Sequence, residues 1–192
     1  MGRRGKRLAI LLPFGAMTYQ PGDGHTYRLR SLGLPHPLGI NTFHPRRKKV
    51  SDKLIAKASI EIDAPASEIW KALTDPAMIK EYLFGTEAVS DWKVGSPIVY
   101  RGVWEGKAYE DKGKILKMVP GKLLETSYWS GMAGKPDLPE NYKRVTYELR
   151  PEGAKTLLTV TQDNNATADE KSHSEGNWAV VLGGLKKLLE KP

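Results

Sequence analysis

His173 is the only histidine outside the first 50 residues, and it stands four residues after Asp169 and four before Asn177. On a helix that spacing aligns the three side chains, with Asp169 to orient an imidazole base. The same segment carries an apolar stripe, and His173 lies about 120° from its centre, which assigns the ring to an exposed or partly covered face. Nucleophilic thiolates and thiolate metal sites are excluded because the chain has no Cys. The body of the chain also lacks a second His, an HExxH run or a paired Asp spacing, so nothing marks a metal centre. Gly183-Gly184 falls inside a helical pattern, where small residues permit close packing rather than phosphate binding. Asp111, Lys112 and Lys114 read as a solvated strand or turn. No catalytic set, metal or cofactor is assigned.

The aromatic residues point to binding instead. Tyr82, Tyr100, Trp104, Tyr128, Tyr147 and Trp178 all read as inward-facing, and together they offer large apolar faces with a few polar tips. Gln162 and Ser174 add fixed polar groups on the same side. An interior of this kind suits a small hydrophobic molecule, in particular a flat aromatic one. The absence of an inward Lys or Arg argues against a carboxylate or phosphate head group as the main anchor. These eight residues are the candidate ligand-binding set.

The elements that must position them are legible from Leu54 onward. Leu54, Ala56, Ala58, Ile60 and Ile62 alternate with Lys57, Ser59 and Glu61, the period of a half-buried strand. Pro65 suits the first turn of a helix bearing Ala66, Ile69, Trp70 and Leu73. Thr74-Asp75-Pro76 stops it and caps a second helix, Ala77 to Phe84, with Gly85 as its C′ residue. Six strand patterns follow, at about 87 to 92, 97 to 105, 108 to 119, 122 to 129, 142 to 150 and 155 to 163, and their short connections imply an antiparallel meander.

Charges mark the wet face of each strand. Arg101 and Glu105 turn Ile98, Tyr100, Gly102 and Trp104 inward, Glu125 does so for Leu124, Thr126 and Tyr128, and Arg144, Glu148 and Arg150 for Val145, Tyr147 and Leu149. Leu158, Val160 and Gln162 face in opposite Lys155, Thr159 and Thr161, and Lys117 turns Leu116 and Met118 inward. Thr167-Ala168-Asp169-Glu170 has capping-box spacing and opens a last helix to about Glu190. Trp178, Val181, Leu182, Leu185, Leu188 and Leu189 form its stripe, with Ser174 at the N-terminal end and Lys186, Lys187 and Glu190 off it.

The formal net charge of +8 is not spread over this pattern. Ten Lys and Arg fall in residues 1–50 against Asp23 alone, so residues 51–192 hold 20 basic and 21 acidic residues. A near-neutral domain offers no electrostatic footprint for specific nucleic-acid binding. Residues 1–50 show no hydrophobic period and are broken by five Pro and by Gly15, Gly22, Gly24, Gly33 and Gly39; they read as a disordered extension without a core. Arg3 to Phe14 imitates a secretory leader, but Pro13 interrupts its seven-residue apolar run and no clean cleavage site follows. No membrane span is expected. The absence of Cys fits a reducing compartment, and a cytoplasmic location is the expectation.

The order of one strand, two short helices, six strands and a long helix resembles the START-like superfamily, the birch-pollen-allergen fold. Two segments resemble one branch more closely: Ala64-Pro65-Ala66-Ser67-Glu68-Ile69-Trp70-Lys71-Ala72-Leu73-Thr74-Asp75-Pro76, and Gly176-Asn177-Trp178-Ala179-Val180-Val181-Leu182-Gly183-Gly184-Leu185-Lys186. That branch is named for the C-terminal domain of the heat-shock-protein-90 ATPase activator homologue. The resemblance implies an α+β helix-grip fold over residues 51–192: a curved antiparallel sheet wrapped around the long C-terminal helix, enclosing a cavity. It also implies two further functions beside a carrier or binding module. One is a co-chaperone role with the chaperone as partner. The other is an enzyme of the polyketide cyclase or aromatase type, which would need an acid or base inside, with Tyr or His173 as candidates.

Overall fold

The structure, a computed structural model, describes residues 54–191. The extension expected over residues 1–50 lies outside these. Strand β1 (Ala56–Ile62) leads into helices α1 (Ala66–Thr74) and α2 (Pro76–Tyr82). The meander follows as β2 (Glu87–Ser90), β3 (Pro97–Trp104), β4 (Lys107–Val119), β5 (Leu123–Ser130), β6 (Lys143–Glu152) and β7 (Lys155–Gln162). Helix α3 (Ala168–Leu189) closes the chain. All seven strands form one antiparallel sheet in the order β1-β7-β6-β5-β4-β3-β2, so β1 returns to pair with the last strand. This is the α+β helix-grip architecture.

Helices α2 and α3 each begin at a side-chain cap. The Asp75 carboxylate accepts from the N–H of Ala77 at 2.8 Å, which satisfies a donor that α2 cannot pair internally. The Thr167 hydroxyl accepts from Glu170 N–H at 3.0 Å. Glu170 reaches back one residue further than a capping box requires, to Ala166 N–H at 2.8 Å, while its other oxygen takes Lys143 at 2.7 Å. At the end of α2 the expected roles shift by one: Gly85 N–H bonds Lys80 O, so Phe84 occupies C′ and is held left-handed at φ +54°.

The core lies between the concave face of the sheet and α3. Ile62, Ile115, Leu124, Val145, Leu158 and Val160 from the strands meet Trp178, Val181, Leu182 and Leu185 from the helix. Leu188 and Leu189 are only half-buried, because the stripe leaves the sheet in the last turn. The parity expected for β4 breaks at one point. The register shifts between Ile115 and Lys117, which makes Leu116 the extra residue of a bulge. Ile115 is therefore the fully buried side chain there, Leu116 is half-buried, and Met118 packs against the core as expected. Two glycines allow close approach. A Cβ on Gly113 would sit 1.8 Å from Ser127 O, and one on Gly184 would meet Tyr82 O at 3.0 Å, so β4 nests against β5 and α3 against α2.

Candidate ligand-binding site

A cavity of about 20 Å³ lies between sheet and helices, walled by Leu73, Ile79, Tyr82, Leu83, Tyr100, Leu124, Tyr147, Trp178 and Val181. That volume has room for about one water molecule. A flat aromatic guest would need the walls to move apart. The wall formed by α2 is the short one, seven residues long, and it ends in the left-handed pair Phe84 and Gly85.

Four of the eight expected residues meet at this cavity: Tyr82 from α2, Tyr100 from β3, Tyr147 from β6 and Trp178 from α3. Tyr147 and Trp178 pack edge to face, with ring centroids 5.7 Å apart. Burial raises the hydroxyl pKa of all three tyrosines, and the three are near enough to raise one another further: Tyr100 acts on Tyr82, and both act on Tyr147. They are neutral hydroxyls, each able to donate and accept one hydrogen bond.

Gln162 and Ser174 have a different environment. The Gln162 amide donates to Ser174 Oγ at 2.9 Å and accepts from Trp178 Nε1 at 3.1 Å. Ser174 in turn donates to Asn165 Oδ1 at 3.2 Å, and Asn165 donates to the carbonyls of Leu54 and Gln162 at 2.7 and 3.0 Å. This buried network joins β7 to α3 and fixes the Trp178 indole against the cavity. Trp104 sits at the β3–β4 hairpin end, half-buried, opposite Lys107 and away from the cavity wall. Tyr128 is buried in the core and donates from its hydroxyl to Asp111 Oδ2 at 2.5 Å.

Asp111, which reads as solvated in the sequence, is buried by the fold at 2% exposure. It pairs with Tyr100 across β3–β4 and with Ser130 across β4–β5, so it shares the concave face with Tyr100 and Tyr128. Its Oδ1 is buried without a hydrogen-bond partner. Desolvation raises the carboxyl pKa; the nearby Ser130 and Tyr128 hydroxyls and the Gly131 N–H oppose that rise and do not cancel it. The signal was present in the turn. Glu105 and Gly106 both have positive φ, the signature of a two-residue hairpin, and a turn placed there puts residue 111 opposite residue 100.

His173 is half-buried on α3 with its Nε2 buried and unpartnered, while Asp169 is exposed and no hydrogen bond joins the two among the described residues. Among the described residues no group of three or more His, Asp or Glu could hold a metal ion. No described helix is long and apolar enough to cross a membrane.

The sequence model of one protein family, described as activator of Hsp90 ATPase homolog 1-like protein, matches residues 63–190. The chain belongs to that family. The solution structure of ChR145 from Cytophaga hutchinsonii is 53% identical over 72% of this chain and 94% of its own, with a TM-score of 0.64. Two more distant likenesses show the fold alone. The solution structure of the Aha1 dimer from Colwellia psychrerythraea is 24% identical over 71% of this chain and 96% of its own, at a TM-score of 0.57. CalU16 from Micromonospora echinospora is 22% identical over 71% and 83%, at 0.56. Comparison with curated proteins finds no match. Within the activator-homologue family, the matched span begins at Asp63, just after β1, and takes in every residue that lines the cavity.

Proposed function

We propose that this member of the activator-homologue family binds a small hydrophobic, aromatic molecule in the space between its sheet and α3. The observation that supports this reading is the convergence of three neutral tyrosines and one tryptophan on an interior cavity with no Lys or Arg in its wall. Apolar faces supply affinity and the hydroxyls orient a guest with few polar atoms. Opening costs contact between α2 and α3, and a guest that restores the buried area offsets that cost. A cytoplasmic carrier fits the lack of Cys.

The test pairs thermal unfolding with titration of a panel of flat aromatics and fatty acids, on wild type, Tyr147→Phe and Trp104→Leu. Tyr147→Phe removes a cavity hydroxyl and should weaken aromatic binding with little change in Tm. Trp104→Leu, away from the cavity wall, should leave affinity intact. A wild type that binds nothing in the panel sinks the proposal, and fatty-acid binding alone sinks the aromatic class.

A chaperone partner is the second reading, favoured by the family's description and by Val89 and Val103, which stand 55% and 68% exposed along the β2–β3 edge of the sheet. Stimulation of a chaperone ATPase that is lost in Val89→Glu and Val103→Glu, with no response to small molecules, would favour it over the carrier.

A further inference from the structure

We propose that Asp111 anchors the guest by donating a hydrogen bond to a carbonyl oxygen, which makes the ligand class a hydrophobic aromatic ketone. This inference rests on the carrier reading. Tyr100 belongs to both settings: it lines the cavity, and it lies beside Asp111 across the β3–β4 pair. A guest that widens the cavity past the Tyr100 ring therefore meets the Asp111 carboxyl next.

The chemistry of that carboxyl selects the guest. Tyr128 donates to Oδ2, which leaves Oδ1 as the oxygen without a partner in a residue 2% exposed. Desolvation is the largest influence on the group and favours its neutral form. With Oδ2 occupied as an acceptor, the acid proton belongs on Oδ1, where it is a buried donor facing no acceptor. A carbonyl oxygen meets that need without bringing a charge inside. An ammonium would instead require the ionised form that burial opposes. The strand neighbours that share its face are also neutral, with the charged Glu110 and Lys112 on the opposite face: Tyr100 on β3, Tyr109 on β4 and Tyr128 on β5 all have pKa values raised by burial, and Ser130 on β5 and the Gly131 N–H complete the surroundings. Tyr82 and Tyr147 on the cavity wall are likewise raised by burial, and the Nε2 of His173 on α3 is buried.

The experiment titrates the full chain with naphthalene, 2-acetylnaphthalene and 2-naphthylmethylammonium between pH 5 and 8. Wild type should bind the ketone about tenfold more tightly than naphthalene at the acid end, a margin of one buried hydrogen bond. The margin should shrink as pH rises and the carboxyl ionises. Asp111→Leu should erase the margin and keep naphthalene binding, whereas Asp111→Asn, which retains an N–H donor and cannot ionise, should keep the margin at every pH. His173→Gln, run alongside, should leave the pH effect in place. A margin that survives Asp111→Leu, or a preference for the ammonium, overturns the inference. If Asp111→Leu does not fold, a margin in Asp111→Asn that still falls with pH overturns it. Equal binding of naphthalene and the ketone also overturns it and spares the carrier reading; failure of all three probes removes both.

Discussion

At the scale of single residues, the interior is set by where its polar groups find partners. Gln162, Ser174 and Asn165 satisfy one another and Trp178, so they hold the fold. Asp111 is only half satisfied, and this gives it a distinct pH signature. A carboxyl whose folded pKa is raised contributes its full stability below its unfolded value, and the contribution is lost as pH rises through the folded value. The shifted surface carboxylates Glu87, Asp137, Glu175 and Glu190 are lowered by their ion pairs or backbone donors, and their contributions are lost on acidification. The difference between Asp111→Asn and wild type isolates the buried group. Thermal unfolding from pH 4 to 8 should show Asn gaining on Asp as pH rises; a constant difference would mean that Asp111 titrates as an ordinary carboxyl.

Most of the inward set was legible as strand parity because charges mark the outer face, and Tyr82, Tyr100, Tyr147 and Trp178 do converge. Asp111 was misread because a charge was itself the marker. A buried carboxylate looks like a solvated one until the hairpin register is known, and the register depends on placing the turn at Glu105-Gly106. Parity likewise failed at Leu116, since a bulge leaves no periodic trace in one strand.

Among the elements, α3 has the largest task, because it covers the sheet along the stripe read from the sequence. Leu182 and Leu185 are buried in that interface and Lys187 is exposed. Leu→Ala at either position should cost roughly 2–5 kcal/mol through lost transfer energy and an unfilled cavity. Lys187→Ala should change stability by less than about 0.5 kcal/mol, and denaturant unfolding of the three variants checks the contrast.

The adjacent glycines of α3 make a finer test of its contact with α2. Gly183 faces open space, so Ala there should gain up to about 1 kcal/mol of helix propensity. Gly184 faces the Tyr82 carbonyl at 3.0 Å, so Ala there must push α2 away and should lose that gain. Equal stabilisation at both sites would show that α2 is loosely held.

Across the whole molecule, charge and periodicity divide in the same place. The excess of basic residues lies before position 51, and the strand and helix periods read from the sequence begin at Leu54. We propose that residues 51–192 fold independently. A chain beginning at Ser51 should unfold cooperatively with the Tm of the full chain; failure to fold would give the preceding residues a structural role.

The fold joins an antiparallel sheet to a long helix and leaves the shorter α2 as the third wall, so access to the interior depends on how firmly α2 is held. The most direct test of the binding claim is native mass spectrometry of the protein purified from its source cells. A small molecule should be retained, released on denaturation and identified as a hydrophobic aromatic compound bearing a carbonyl oxygen. A bare protein mass in every preparation, with no uptake of the aromatic panel on reconstitution, would contradict it.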